Sequence, residues 1–114
     1  MTETPWPSEW LRGVLTLCVM RAMTSGPTYG YAIASELERL GLGAVKGGTL
    51  YPLLTRLEES GLVTTSWQPG DGGPGRKFFE LNDAGRAELE RLTAEWSRFA
   101  TLTTSYLNPL KEIR

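Results

Sequence analysis

The sequence predicts a mainly α chain carrying one small β-hairpin, an α+β fold in a single domain. Three observations carry this reading. Four stretches place apolar residues at steps of three and four, the period of a helix packed along one side. Between the third and the fourth, residues 62–67 and 76–81 read as two strands across a glycine-rich QPGDGGPG segment, the pattern of a hairpin and its turn. At 114 residues, 40% of them hydrophobic, the chain can fill one modest core.

Taken in order, residues 1–7 are polar and proline-broken and read as a short mobile arm. Ser8 is placed to cap a helix running to about Met23. Its apolar residues Trp10, Leu11, Val14, Leu15, Leu17, Cys18 and Ala22 spread beyond one narrow stripe. That helix should therefore be covered on two sides, by its own core and by another surface. Ser25-Gly26-Pro27 breaks it. Thr28 is placed to cap a second helix with Tyr29, Ile33, Leu37 and Leu40 inward, stopped by Gly41.

The third helix is the one the others serve. Leu50, Leu53, Leu54 and Leu57 share a face, and Gly61 ends the helix as a C′ glycine does. Thr49 can cap it, with the start lying within residues 46–50, and Pro52 then falls in the first turn, where a missing N–H costs little. The opposite side carries Thr49, Tyr51, Thr55 and Arg56, hydroxyls and a guanidinium that suit phosphate oxygens and base edges. Two such helices joined by a short glycine-containing turn fit a helix-turn-helix, and a hairpin directly after the second is a wing. Residues 68–75 are too glycine-rich for regular structure and read as its flexible tip.

Asn82 is placed to cap a last helix running to about Tyr106, before Asn108-Pro109 weakens it. Its Leu89, Leu92, Trp96, Phe99, Thr103 and Tyr106 alternate steps of three and four, a coiled-coil-like seam too short to be stable alone. A second copy of the chain is the simplest supplier of the missing surface. The expected architecture is a winged helix-turn-helix over residues 8–81, a C-terminal dimerisation helix over residues 82–107 and a tail over residues 108–114.

Composition removes several function classes. The single cysteine excludes an internal disulfide, and without histidine an ordinary zinc site has no ligand set. Nucleophilic and general-base chemistry likewise lack candidates, so no enzyme activity, cofactor or metal is expected. Gly70, Gly72 and Gly75 match the GxGxxG spacing of a dinucleotide loop, but a strand follows where that mechanism needs a helix N-terminus. No signal peptide or spanning segment is visible, which reads as cytoplasmic with no membrane association. The formal net charge of −1 counts against DNA binding by the chain as a whole and must be answered locally. It is, by gentle sorting: Lys46, Arg56, Arg76 and Lys77 lie in the reading head, whose acids Glu58, Glu59 and Asp71 sit towards the helix end and the loop tip, whereas residues 82–100 hold Asp83, Glu88, Glu90 and Glu95 against three arginines.

The run Thr49-Leu50-Tyr51-Pro52-Leu53-Leu54, followed by Arg56-Leu57-Glu58 and Gly61-Leu62-Val63, resembles the recognition-helix signature of PadR-type transcriptional regulators. Tyr29-Gly30-Tyr31 with Ile33 and Leu37 resembles that family's second helix, and Arg76-Lys77-Phe78-Phe79 with Leu81 and Gly85 its second wing strand and last helix. The resemblance runs in order from about Trp10 to Tyr106. Lys46 departs from it, standing where the family usually has a small capping residue.

The resemblance implies a homodimeric, sequence-specific DNA-binding regulator, a ligand-responsive repressor, with a pseudo-palindromic double-stranded operator as partner. Thr49, Tyr51 and Arg56 would enter the major groove, while Lys46, Arg76, Lys77 and Tyr29 would meet the backbone. The last helix would pack across the partner's first helix through Leu11, Leu15, Leu89, Leu92, Trp96, Phe99 and Tyr106. A planar aromatic effector would sit near Trp96, Phe99 and Thr103. Plainer roles stand beside these: a solvated strand end for Arg76 and Lys77, core packing for Tyr29, an intrahelical pair with Glu59 for Arg56. The rival readings are a winged-helix protein-interaction module, a small-molecule carrier built on the seam, or a MarR-like regulator.

Overall fold

The computed structural model describes residues 5–70 and 73–108, in the order α1 (Ser8–Ala22), α2 (Gly30–Leu40), α3 (Gly47–Glu59), β1 (Val63–Gly70), β2 (Gly73–Leu81) and α4 (Asp83–Leu107). This is a winged helix. Leu15, Val19 and Met20 of α1, with Met23, meet Ile33 and Leu37 of α2, the four leucines of α3, and Val63, Phe79 and Leu81 of the hairpin in one buried cluster. Leu54 at its centre is wholly buried, so Leu54→Ala should cost about 2–5 kcal/mol.

Helix ends follow the sequence at the C-termini more closely than at the N-termini. Gly41 and Gly61 both adopt the left-handed conformation, with φ of 107° and 76°, and let Leu42 N–H and Leu62 N–H close back on the carbonyls of Leu37 and Leu57. At the starts, Ser8 is already helical and Pro7 holds the cap position. Thr28 is not a cap, because its backbone exchanges two hydrogen bonds with Phe79, at 2.9 and 2.6 Å, on the free edge of β2. Tyr29 takes the cap position of α2 instead. Lys46 does so for α3, which puts Thr49 inside the helix with its N–H on the Lys46 carbonyl.

The hairpin runs further than expected. Register holds from Val63↔Leu81 to Gln68↔Arg76, slips by a bulge between Gln68 and Gly70, and resumes at Gly70↔Gly73. Ladder hydrogen bonds need no side chains, and a bulge absorbs the extra residue. Much of the expected tip is therefore paired strand; Asp71 and Gly72 lie outside the described residues, as do residues 1–4 of the arm and 109–114 of the tail. The rest of the arm is fastened, for Trp6 Nε1 donates to the Gly41 carbonyl at 2.9 Å.

Asn82 caps α4, its Oδ1 accepting from Gly85 N–H at 2.8 Å. The first turns lie on the core through Gly85, Leu89 and Leu92. Beyond them Phe99, Leu102, Tyr106 and Leu107 are exposed. Leu15 needs correcting. It is only 7% exposed and belongs to its own core, since α1 turns that side inward and presents Trp10 outward. Cys18 packs against the same core, and burial pushes its thiol pKa up. Among the described residues no helix is long and apolar enough to cross a membrane, and no acidic, cysteine or histidine cluster could hold a metal ion.

Candidate nucleic-acid interface

Helix α3 buries its leucines and turns Thr49, Tyr51, Pro52, Thr55 and Arg56 to solvent. At 100° per residue these cannot all share one direction, and the structure separates them onto two flanks. Each flank borders a cleft.

The first cleft, about 450 Å³, lies between α3 and α1. Lys46, Thr49 and Arg56 line it from one wall, Ser8, Arg12 and Thr16 from the other. No acidic side chain lines it, and among the described residues Arg56 makes no ion pair. The anticipated competitor Glu59 therefore does not engage Arg56. Arg12 was not singled out from sequence, because only the fold carries α1 past the start of α3.

The second cleft, about 480 Å³, lies between α3 and the hairpin and is lined by Tyr29, Tyr31, Tyr51, Thr55, Trp67, Arg76 and Lys77 among others. Tyr51 does not project freely. Its ring lies across Gly30 at the start of α2, so close that a Cβ there would collide with the phenol. Tyr29 is half-buried between two wing residues, its ring 5.2 Å from Phe78 and 4.6 Å below the Arg76 guanidinium. The cation–π contact orients Arg76 at the cleft wall.

Lys77 sits differently from its expected role. Its Nζ donates to Glu58 Oε1 at 3.2 Å, while Thr65 Oγ1 donates to Glu58 Oε2 at 3.2 Å. Glu58 thus joins the end of α3 to both strands of the wing, and Lys77 is partly neutralised there. Both side chains are over one-third exposed, so the pair is worth about 0.5 kcal/mol and restrains more than it stabilises. Nineteen residues separate the two, which no local pattern reveals.

A third groove, about 620 Å³ and mainly apolar, runs along α1 and α4 between Trp6, Trp10, Leu11, Trp96, Phe99 and Thr103. The Trp96 and Phe99 rings stand 5.8 Å apart. Thr103 spends its hydroxyl proton on its own helix, pointing to the carbonyls of Phe99 and Ala100. On the outer face of α4, Arg91 clasps Glu88 and Glu95, and the hydrogen bond from Arg91 holds the Glu88 carboxyl below its usual pKa.

Residues 19–91, which span both strands and the whole lining of the second cleft, match the model of the transcriptional regulator PadR-like family. The chain belongs to that family. It is 35% identical over 81 residues to a transcriptional regulator of Mycobacterium tuberculosis, across 71% of this chain and 74% of that one. Among solved structures it is similar to a PadR family transcriptional regulator from Eggerthella lenta, with a TM-score of 0.81 and 32% identity over 89% of this chain and 88% of the other. It is also similar to Bacillus subtilis PadR in complex with operator DNA, with a TM-score of 0.65 and 27% identity over 70% of this chain and 47% of that one. PadR-family members are transcriptional regulators, not enzymes.

Proposed function

We propose that this PadR-family chain binds double-stranded DNA as a homodimer, with α3 in the major groove and the hairpin at the neighbouring minor groove. The observation that carries the reading is the pair of clefts on either side of α3. A recognition helix in a major groove has a phosphate backbone along each flank, and here each flank carries cations and hydroxyls. Thr55 and the edge of Tyr51 face the bases. Arg12, Lys46, Thr49 and Arg56 meet one backbone, Arg76 and Tyr29 the other, and Lys77 joins when Glu58 releases it.

The outer half of α4 is the proposed dimer seam, with Leu11, Trp96, Phe99 and Tyr106 facing the second copy and Leu89 and Leu92 bridging to the core. Residues 8–81 then form the reading head and residues 82–107 the dimerisation helix. Two-fold symmetry calls for a pseudo-palindromic operator with half-sites about 10 bp apart or a multiple of that. The groove at Trp96, Phe99 and Thr103 suits a flat aromatic effector, which would act by favouring another separation of the two heads. Repression in the cytoplasm, relieved by that effector, is the role this arrangement supports best.

The test is an electrophoretic shift titration on a duplex selected from a random-sequence library. Arg56→Ala should weaken binding about ten-fold and lower the salt slope by about one. Failure of the library to yield any bound duplex would overturn the reading.

A further inference from the structure

Trp67 is a large apolar side chain, 69% exposed, on the outer part of β1. Residues 63, 65 and 67 pair with residues 81, 79 and 77 and share one face of the hairpin. On that face Val63, Leu81 and Phe79 are buried, and Thr65 and Lys77 reach Glu58 of α3. Trp67 is the next residue outward along β1, past the end of the core. Its indole braces against Gly75, where an added Cβ would lie 3.6 Å from Trp67 Cε3 and 2.9 Å from the Gln68 carbonyl. Nothing in the core explains an indole held in that place.

We infer that Trp67 is a DNA-contact residue that packs flat on a deoxyribose of the backbone strand lodged between α3 and the wing. This rests on the proposed docking of α3 and hairpin in adjacent grooves, because two elements in neighbouring grooves straddle one sugar-phosphate strand. That strand alternates apolar sugar with anionic phosphate, and the second cleft offers a matching alternation. Trp67 supplies the apolar wall, Arg76 and Lys77 the charge and Tyr29 a hydroxyl. The opposite cleft is lined by cations, hydroxyls and aliphatic side chains but by no aromatic residue, so the sugar contact belongs to the wing side alone. A sugar contact is indifferent to base identity, and an uncharged indole releases no counterion.

The experiment measures affinity and salt dependence for the full chain on the library-selected duplex and on sonicated bulk DNA. Trp67→Ala should lose about ten-fold on both, with an unchanged salt slope, whereas Arg76→Ala should lower the slope by about one. Trp67→Phe should restore most of the loss. Thermal unfolding of Trp67→Ala should match the parent, which separates lost contact from lost fold. If the parent binds DNA and Trp67→Ala binds equally well, this inference fails while the docking stands. A loss confined to the selected duplex also overturns it, because the indole would then be reading bases. If the parent binds neither DNA, the docking itself has failed.

Discussion

Asn82 Nδ2 donates to the Gly61 carbonyl at 2.8 Å, while Asn82 N–H donates to the Leu62 carbonyl at 3.1 Å. One residue therefore caps α4 and ties its first turn to the end of α3. Each function uses a different atom, so they can be separated. Asn82→Asp keeps the cap acceptor and loses the side-chain donor; Asn82→Ala loses both. The alanine variant should lose about 1–2 kcal/mol in denaturant unfolding and the aspartate variant about half as much. Equal losses would mean that the cap contributes nothing, and an aspartate variant as stable as the parent that the link to Gly61 contributes nothing.

Gly85 and Gly30 make a contrasting pair. A Cβ on Gly85 would run into the Leu62 carbonyl and stand 2.8 Å from Leu81 Cδ2, in a buried backbone crossing that cannot give way. Gly85→Ala should cost about 1–3 kcal/mol by thermal unfolding. At Gly30 the obstacle is the Tyr51 ring, which is half exposed and can swing out. Gly30→Ala should leave stability within about 1 kcal/mol of the parent and weaken DNA binding. The reverse order of effects would show that Tyr51 matters to the fold and not to the interface.

The order of elements, the α3 leucine face, the terminal glycines Gly41 and Gly61 and the Asn82 cap were all legible in the sequence, because each depends on spacing within one turn or one strand. What was not legible depends on crossings. Leu15 has the same apolar character as Leu11, and only the packing of α1 decides which is buried. Thr28 has a cap residue's chemistry but lies beside an open strand edge. Among the cations, Arg12 reaches the α3 flank from another helix, and Lys77 is held by an acid on a different element. The polar residues of α3 read as one surface, although helical geometry divides them between two.

Releasing Lys77 should be measurable. Glu58→Gln removes the charge that holds it and should steepen the salt dependence of bulk-DNA binding by about one unit, with stability changed by about 0.5 kcal/mol or less. An unaltered slope would show that Glu58 does not hold Lys77 back from phosphate.

The seam on α4 is tested by charge. Phe99 and Tyr106 are 55% and 81% exposed, so Phe99→Glu with Tyr106→Glu leaves the winged helix intact. Light scattering should report a monomer for the variant and a dimer for the parent. A variant that stays dimeric would move the seam elsewhere.

Cys18 offers a check on packing. Burial raises its thiol pKa, so less thiolate is present near neutrality than for a free cysteine. Ellman's reagent should label it slowly in the native chain and rapidly in denaturant. Fast native labelling would put Cys18 at the surface.

The 25 residues of α4 form a rod about 37 Å long, seated at its start through Asn82 and Gly85. A tilt of about 5° at that seat would carry the far tip through roughly 3 Å, simple leverage on a rod of that length. Read in the other direction, a ligand wedged near the distal end gains mechanical advantage, for a coarse displacement there becomes a fine angular correction at the fulcrum.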